Sequence, residues 1–203
     1  MPVSFTEEEL ICLEDRDYLI TKNEVSTKME NLLKSCITEI RKILVSDYPS
    51  INAKYGNITP KVSRGENYNG LPYFVLDYPR YFQNDETFSY RIICLWGKYF
   101  TFNLYLTGNT KNKVNLNKWD ENAGNSIDCF ICVSNDPWIH YLEPPDYVQA
   151  SKISALEIKN LIEKIGYFKI SKKTTFKTWS QLPILAKEYF KLLINLSGFT
   201  LQG

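Results

Sequence analysis

Thiol and imidazole groups, the usual makers of zinc and redox sites, are few in this chain: five cysteines and one histidine. Cys129-Phe130-Ile131-Cys132 has the spacing of a redox or zinc pair, which needs both sulfurs on one side, at a turn or a helix start. Here the two middle residues are bulky and apolar and the segment reads as a strand, where residues three apart point to opposite faces. A second cysteine pair is absent. Cys12, Cys36 and Cys94 lie in apolar patterns, as small hydrophobes. His140 stands alone between Pro137 and Pro144, so neither a two-histidine zinc helix nor a Ser-His-Asp or Cys-His arrangement has all its parts. No dinucleotide, phosphate-loop or nucleophile-elbow motif occurs. The expectation is no cofactor, no metal and no catalytic residue.

Aromatic, carboxylate and arginine side chains are concentrated between residues 60 and 107. Asn67-Tyr68-Asn69-Gly70 separates two runs, 60–66 and 71–78, that read as strands, and Asn-Gly tolerates the positive φ of a tight hairpin. Closing at Asn67/Gly70 or at Tyr68/Leu71 gives the same faces: Val62, Arg64, Glu66, Tyr73, Val75 and Asp77 on one, Ser63, Gly65, Phe74, Leu76 and Tyr78 on the other. A second hairpin, 88–96 and 99–107, turns at Gly97-Lys98 with Trp96 opposite Tyr99. It sorts Ile93, Leu95, Phe100, Phe102, Leu104 and Leu106 onto an apolar face. Tyr90, Ile92, Cys94, Trp96, Tyr99, Thr101, Asn103 and Tyr105 fall on an aromatic-polar one. If the hairpins share a sheet, Arg64, Glu66, Tyr73, Asp77, Trp96, Tyr99 and Tyr105 form one recognition face, because aromatics offer flat apolar area with a hydrogen-bonding rim. The same face is a second core if the C-terminal helices cover it. An enzyme would use Glu66 and Asp77 as acid and base, with Arg64, Arg80 or Arg91 holding an anion.

Helices must carry this sheet. Ser4-Phe5-Thr6-Glu7 fits a capping box and opens a short helix near Thr6. Val25, Met29, Leu32, Leu33, Cys36, Ile40, Ile43 and Leu44 recur at three- and four-residue spacing, which predicts a helix over 22–46 that ends before Pro49. A short helix is expected near Trp119 and a fifth strand over 127–133. Residues 136–147, with three prolines, read as an extended surface segment. Ser154-Ala155-Leu156-Glu157 caps a helix to about 165. Residues 167–175 read either as a strand or as a link, and a last helix over 180–196 stops at Gly198.

The 203 residues, 44% hydrophobic, fit one domain (1–203) of α+β class: an antiparallel sheet of two consecutive hairpins plus one further strand, flanked by N- and C-terminal helices. No apolar run reaches the ~18 residues of a membrane helix. Glu7, Glu8 and Glu9 stand where a signal peptide would be basic, and five cysteines make an odd count, so a cytoplasmic, reduced protein is expected. Asn57-Ile58-Thr59 is then a sequon without consequence. The net charge of +1 gives no global pull toward nucleic acid. Ten acids and six bases in residues 1–50 contrast with nine lysines and three glutamates in 152–203. That basic third, with Tyr167-Phe168-Lys169 and Lys172-Lys173-Thr174-Thr175-Phe176-Lys177, is the sole footing for a nucleic-acid reading.

Arg64-Gly65-Glu66-Asn67-Tyr68-Asn69-Gly70-Leu71-Pro72-Tyr73, continued by Leu76-Asp77-Tyr78-Pro79-Arg80-Tyr81-Phe82 and Leu95-Trp96-Gly97, resembles an uncharacterised family of bacterial proteins of about this length. The resemblance runs over most of the chain, sharpest between Val62 and Gly108. It implies a free-standing bacterial protein and carries no activity, substrate or catalytic residue. The reading of the residues is a binding or interaction protein with an unknown small molecule or protein as partner, and no membrane.

Overall fold

In the computed structural model of the protein, which describes residues 3–83, 85–123, 126 and 128–201, seven antiparallel strands form one sheet. Strands β1 (Lys61–Tyr68), β2 (Leu71–Gln83), β3 (Glu86–Leu95) and β4 (Tyr99–Thr107) make a meander, followed in space by β7 (Tyr167–Thr174), β5 (Cys129–Cys132) and β6 (Tyr147–Gln149). The sheet is therefore larger than two hairpins and one strand. The ambiguous segment 167–175 is a central strand that joins the meander to β5. Ile127, where the fifth strand was expected to begin, lies outside the described residues.

Helix α1 (Glu7–Glu14) is capped by Thr6 and Glu9, not by Ser4 and Glu7: Thr6 accepts from Glu9 N–H and Glu9 returns the bond. Helix α2 (Arg16–Ser46) starts earlier than its apolar periodicity does, because Asp15 caps it through Tyr18 N–H (2.8 Å). Short helices α3 (Pro49–Ile51) and α4 (Trp119–Asn122) follow, with a π-turn at Asn52–Gly56. Helix α5 (Ala155–Ile165) has the expected Ser154/Glu157 capping box, and α6 (Leu182–Ser197) ends at the left-handed Gly198.

Helices α2 and α6 pack side by side over one sheet face. The core there is built from Leu33, Cys36, Ile40 and Leu44 of α2, Ala186, Phe190 and Leu193 of α6, and Phe74, Leu76, Phe88, Tyr90, Ile92, Cys94, Phe100, Phe102, Leu104, Leu106, Phe168 and Ile170 of the sheet. Burial of this apolar layer is the main favourable term in folding. Ion pairs Lys22–Glu66 (2.8 Å) and Arg64–Glu30 (3.5 Å) fasten α2 over the edge hairpin.

The second hairpin's register differs from the expected one by one residue, and the first, which closes at Tyr68/Leu71 as expected, shifts by one beyond a bulge; each shift moves the side chains concerned to the other face. In the second, the loop has three residues, Trp96-Gly97-Lys98, with Gly97 at φ +72 and Lys98 N–H bonded to Leu95 O at 3.0 Å. Leu95, not Trp96, thus faces Tyr99, and Ile93 and Leu95 leave the helix side while Tyr90, Ile92 and Cys94 join it. In the first, the Asn69-Gly70 loop pairs Tyr68 with Leu71, but a bulge between Gly65 and Tyr68 sets Gly65 opposite Tyr73 and Arg64 opposite Phe74. A Cβ on Gly65 would stand 2.4 Å from the Tyr73 ring, which would have to move to admit it. A second bulge lies between Asp77 and Arg80, around the cis Tyr78-Pro79 bond, where proline can interrupt a ladder it cannot donate to.

Candidate functional site

The sheet face away from the helices is covered by residues 133–146 of the chain, not by the C-terminal helices. Prolines at 137, 144 and 145 keep this strap out of any ladder, so its backbone groups need other partners. The sheet supplies them through side chains. Tyr167 Oη donates to Ser134 O (2.6 Å), Tyr147 Oη to Ile139 O (2.8 Å), and Lys169 Nζ to both Pro137 O (2.6 Å) and Ile139 O (2.8 Å). In the other direction, His140 N–H donates to Tyr68 Oη (2.6 Å) and Leu142 N–H to Tyr99 Oη (2.8 Å).

Beneath the strap is a buried polar layer. Arg91 holds Asp77 by two bonds, Nε to Oδ1 at 2.7 Å and Nη2 to Oδ2 at 3.0 Å, and Ser89 Oγ adds a third to the carboxylate at 3.3 Å. Asn103 Nδ2 donates to Arg91 O (3.0 Å) and Thr101 Oγ1 (3.1 Å) while its Oδ1 accepts from Ser171 (2.7 Å). Lys169 is 3% exposed, and burial followed by the nearby Arg91 guanidinium brings its ammonium down to about 8, opposed by Cys132 and Asp136. His140 is held well below its usual range, first by burial and then by Lys169 and Arg91. Its Nδ1 is buried without a hydrogen-bond partner among the described residues. Cys132 Sγ and Tyr167 Oη stand 3.3 Å apart, and burial raises the hydroxyls of Tyr147 and Tyr167 far above the ordinary phenol.

At the rim the aromatics are half-buried. Tyr68 meets Tyr73 (6.1 Å between centroids), His140 (5.5 Å) and Tyr141 (5.1 Å). Lys98 lies over Tyr141 and Lys173 over Tyr99. Trp138, 48% exposed, covers the Arg91 guanidinium at 4.9 Å and leans on Tyr105.

Of the seven residues expected to share a face, the structure brings together Tyr73, Asp77, Tyr99 and Tyr105. Arg64 and Glu66 reach α2 instead, and Trp96 stacks on Phe74 of the helix-side core (6.2 Å). Glu66 and Asp77 therefore do not meet as an acid–base couple, and Asp77 is committed to Arg91. Cys129 faces the helix-side core and Cys132 the strap, as strand parity requires. No group of three metal-ligating side chains gathers among the described residues. Tyr68, Trp138 and Tyr141 lie outside the expected set, and His140 and Lys169, read from the sequence as a lone histidine and as part of a basic stretch, belong to this layer too. The signal was Trp138-Ile139-His140-Tyr141-Leu142, which is too apolar for a wholly solvated loop and had to cover something. Neither a protein-family model, nor a curated protein, nor a solved structure matches the chain.

Proposed function

We propose that this chain is a non-enzymatic binding protein that recognises a protein partner through the strap side of its sheet, at the rim of Tyr68, Tyr73, Tyr99 and Tyr141. The observation that carries this reading is the half-exposed tyrosine cluster itself. The hydroxyls of Tyr68 and Tyr99 accept from strap N–H groups, so each keeps its own proton for an outside acceptor. The rings are held in place by the bonds that hold the strap, and rigid aromatics lose little entropy on contact. Such rings favour a polypeptide surface that offers carbonyl oxygens and apolar side chains.

The nucleic-acid reading has less support. Lys169 is spent on the strap, Lys187 on Glu39 (3.1 Å) and Lys191 on Asp47 (2.5 Å), which interrupts any lysine stripe. The test is affinity capture with wild-type protein and with a Tyr73→Ser/Tyr141→Ser variant as baits, each checked for folding by circular dichroism. A partner retained by the wild type and lost by the variant supports the proposal. A partner held equally by both would place recognition elsewhere.

A further inference from the structure

Two features at opposite ends of the molecule leave charged and apolar groups open to solvent, and each has the chemistry the other lacks. The first is α1. None of residues 3–21 is buried, and Leu10, Ile11 and Leu13 are 44%, 65% and 60% exposed. Four glutamates interleave with these apolar residues in eight positions, with no base among them. A helix this short is marginal in water without a surface to pack on.

The second is a groove of about 870 Å³ between the 108–117 segment and α5. Val114, Leu116, Leu156 and Ile162 give it an apolar floor, and Leu156 is 68% exposed. Lys111, Lys113 and Lys159 line it and make no ion pair among the described residues. Its two carboxylates are Glu163 and Asp120, which also accepts from Ala155 N–H (3.0 Å), so the three lysines outnumber the carboxylates by one. The lining is thus mostly polar, with an apolar strip and more ammonium than carboxylate groups. An eight-residue helix, roughly 12 Å long and 10 Å across, matches it in size.

The two cannot meet within one chain. Helix α1 adjoins the start of α2, where Lys22 pairs with Glu66 beside the Asn69-Gly70 loop. The groove lies at the far end of α2. Asn115 N–H bonds Ser197 O, Lys191 pairs with Asp47, and Thr200 lines both the groove and a depression beside Tyr48. The 31 residues of α2 span roughly 46 Å at ~1.5 Å per residue.

We propose that α1 docks in the groove of a second copy of this chain, and that two copies related by a two-fold axis exchange their α1 helices, with the two α2 helices antiparallel. Each contact then sets glutamates against lysines and leucines against an apolar floor, and the reciprocal arrangement closes without leaving an open end.

Light scattering after gel filtration tests this, with the intact chain at micromolar concentration in low salt. The wild type should show twice the monomer mass, weakening as salt rises. A Glu7→Lys/Glu8→Lys/Glu14→Lys variant, which leaves the capping Glu9 in place, and a Lys111→Glu/Lys113→Glu/Lys159→Glu variant should each be monomeric. Four of the six positions are exposed and Lys111 and Lys113 are half-buried, so thermal melts serve as the folding control. Mixing the two variants should restore a dimer, because both exchanged contacts become complementary again. A monomeric wild type, a dimer that survives both reversals, or variants that stay apart on mixing would overturn the proposal. So would a monomer whose α1 binds lipid vesicles instead.

Discussion

The most consequential residues under the strap are charged ones buried against one another. Asp77 and Arg91 have side chains only 7% and 17% exposed, and a buried ion pair is costly to break because the survivor is left desolvated and alone. Asp77→Ala should therefore destabilise by about 3–5 kcal/mol in chemical denaturation. Asp77→Leu combined with Arg91→Met should cost clearly less than the Asp77→Ala change alone; equal losses would mean that the pair is solvated. Residue identity disclosed part of this. Asp77 and the arginines were recognisable as candidates, but which arginine Asp77 meets depends on register, and nothing in the types of residues 64, 80 and 91 decides it.

Strands and helices were the more legible level. The period of α2, the capping box of α5, the Gly198 stop and the strand parity of Cys129 and Cys132 all follow from local rules, and the structure has each of them. The faces of the hairpins did not follow. A two-residue and a three-residue loop both accommodate Gly97, and the choice turns on whether Leu95 or Trp96 packs inside; only the whole sheet with α2 and α6 in place settles it. The bulge after Gly65 is equally invisible locally, since it shows only in the pairing with β2, where the Tyr73 ring lies across the glycine. Two measurements test these assignments. Phe102→Ala and Leu104→Ala, both fully buried against the helices, should lose about 2–5 kcal/mol, while Tyr99→Phe should lose only about 0.5–1.5 kcal/mol, the net worth of its hydrogen bond from Leu142 N–H. Gly65→Ala should destabilise the wild type through the clash 2.4 Å from Tyr73 and be markedly milder in a Tyr73→Ser background; additive losses would show that the ring is not the obstacle.

For the whole molecule, the strap makes stability depend on pH in a direction that can be worked out. His140 and Lys169 are both bases whose folded-state affinity for a proton is reduced, so in each case the unfolded chain binds more protons and stability rises with pH across the affected window. For His140 the window opens at the ordinary histidine value of 6.5 and extends downward, so acidification below that point should weaken the protein as the unfolded imidazole protonates and the buried one resists. For Lys169 the window runs from about 8 to 10.5, and a shift of that size amounts to on the order of 3 kcal/mol. Tyrosines and cysteines titrate in the same alkaline range and act in the opposite sense, since burial raises them, so the comparison has to be made against variants. The stability of wild type minus that of Lys169→Met should grow by on the order of 3 kcal/mol between about pH 7 and about pH 10. The acid loss below 6.5 should be reduced in His140→Gln. Protection against amide exchange at residues 138–142 should fall in step with the acid loss, because protonating His140 places a third cation beside Arg91 and Lys169 and its relief is to lift the strap from the sheet. A difference curve for Lys169→Met that stays flat across the alkaline window would mean that the ammonium is solvated, and that the strap is held by the tyrosines alone.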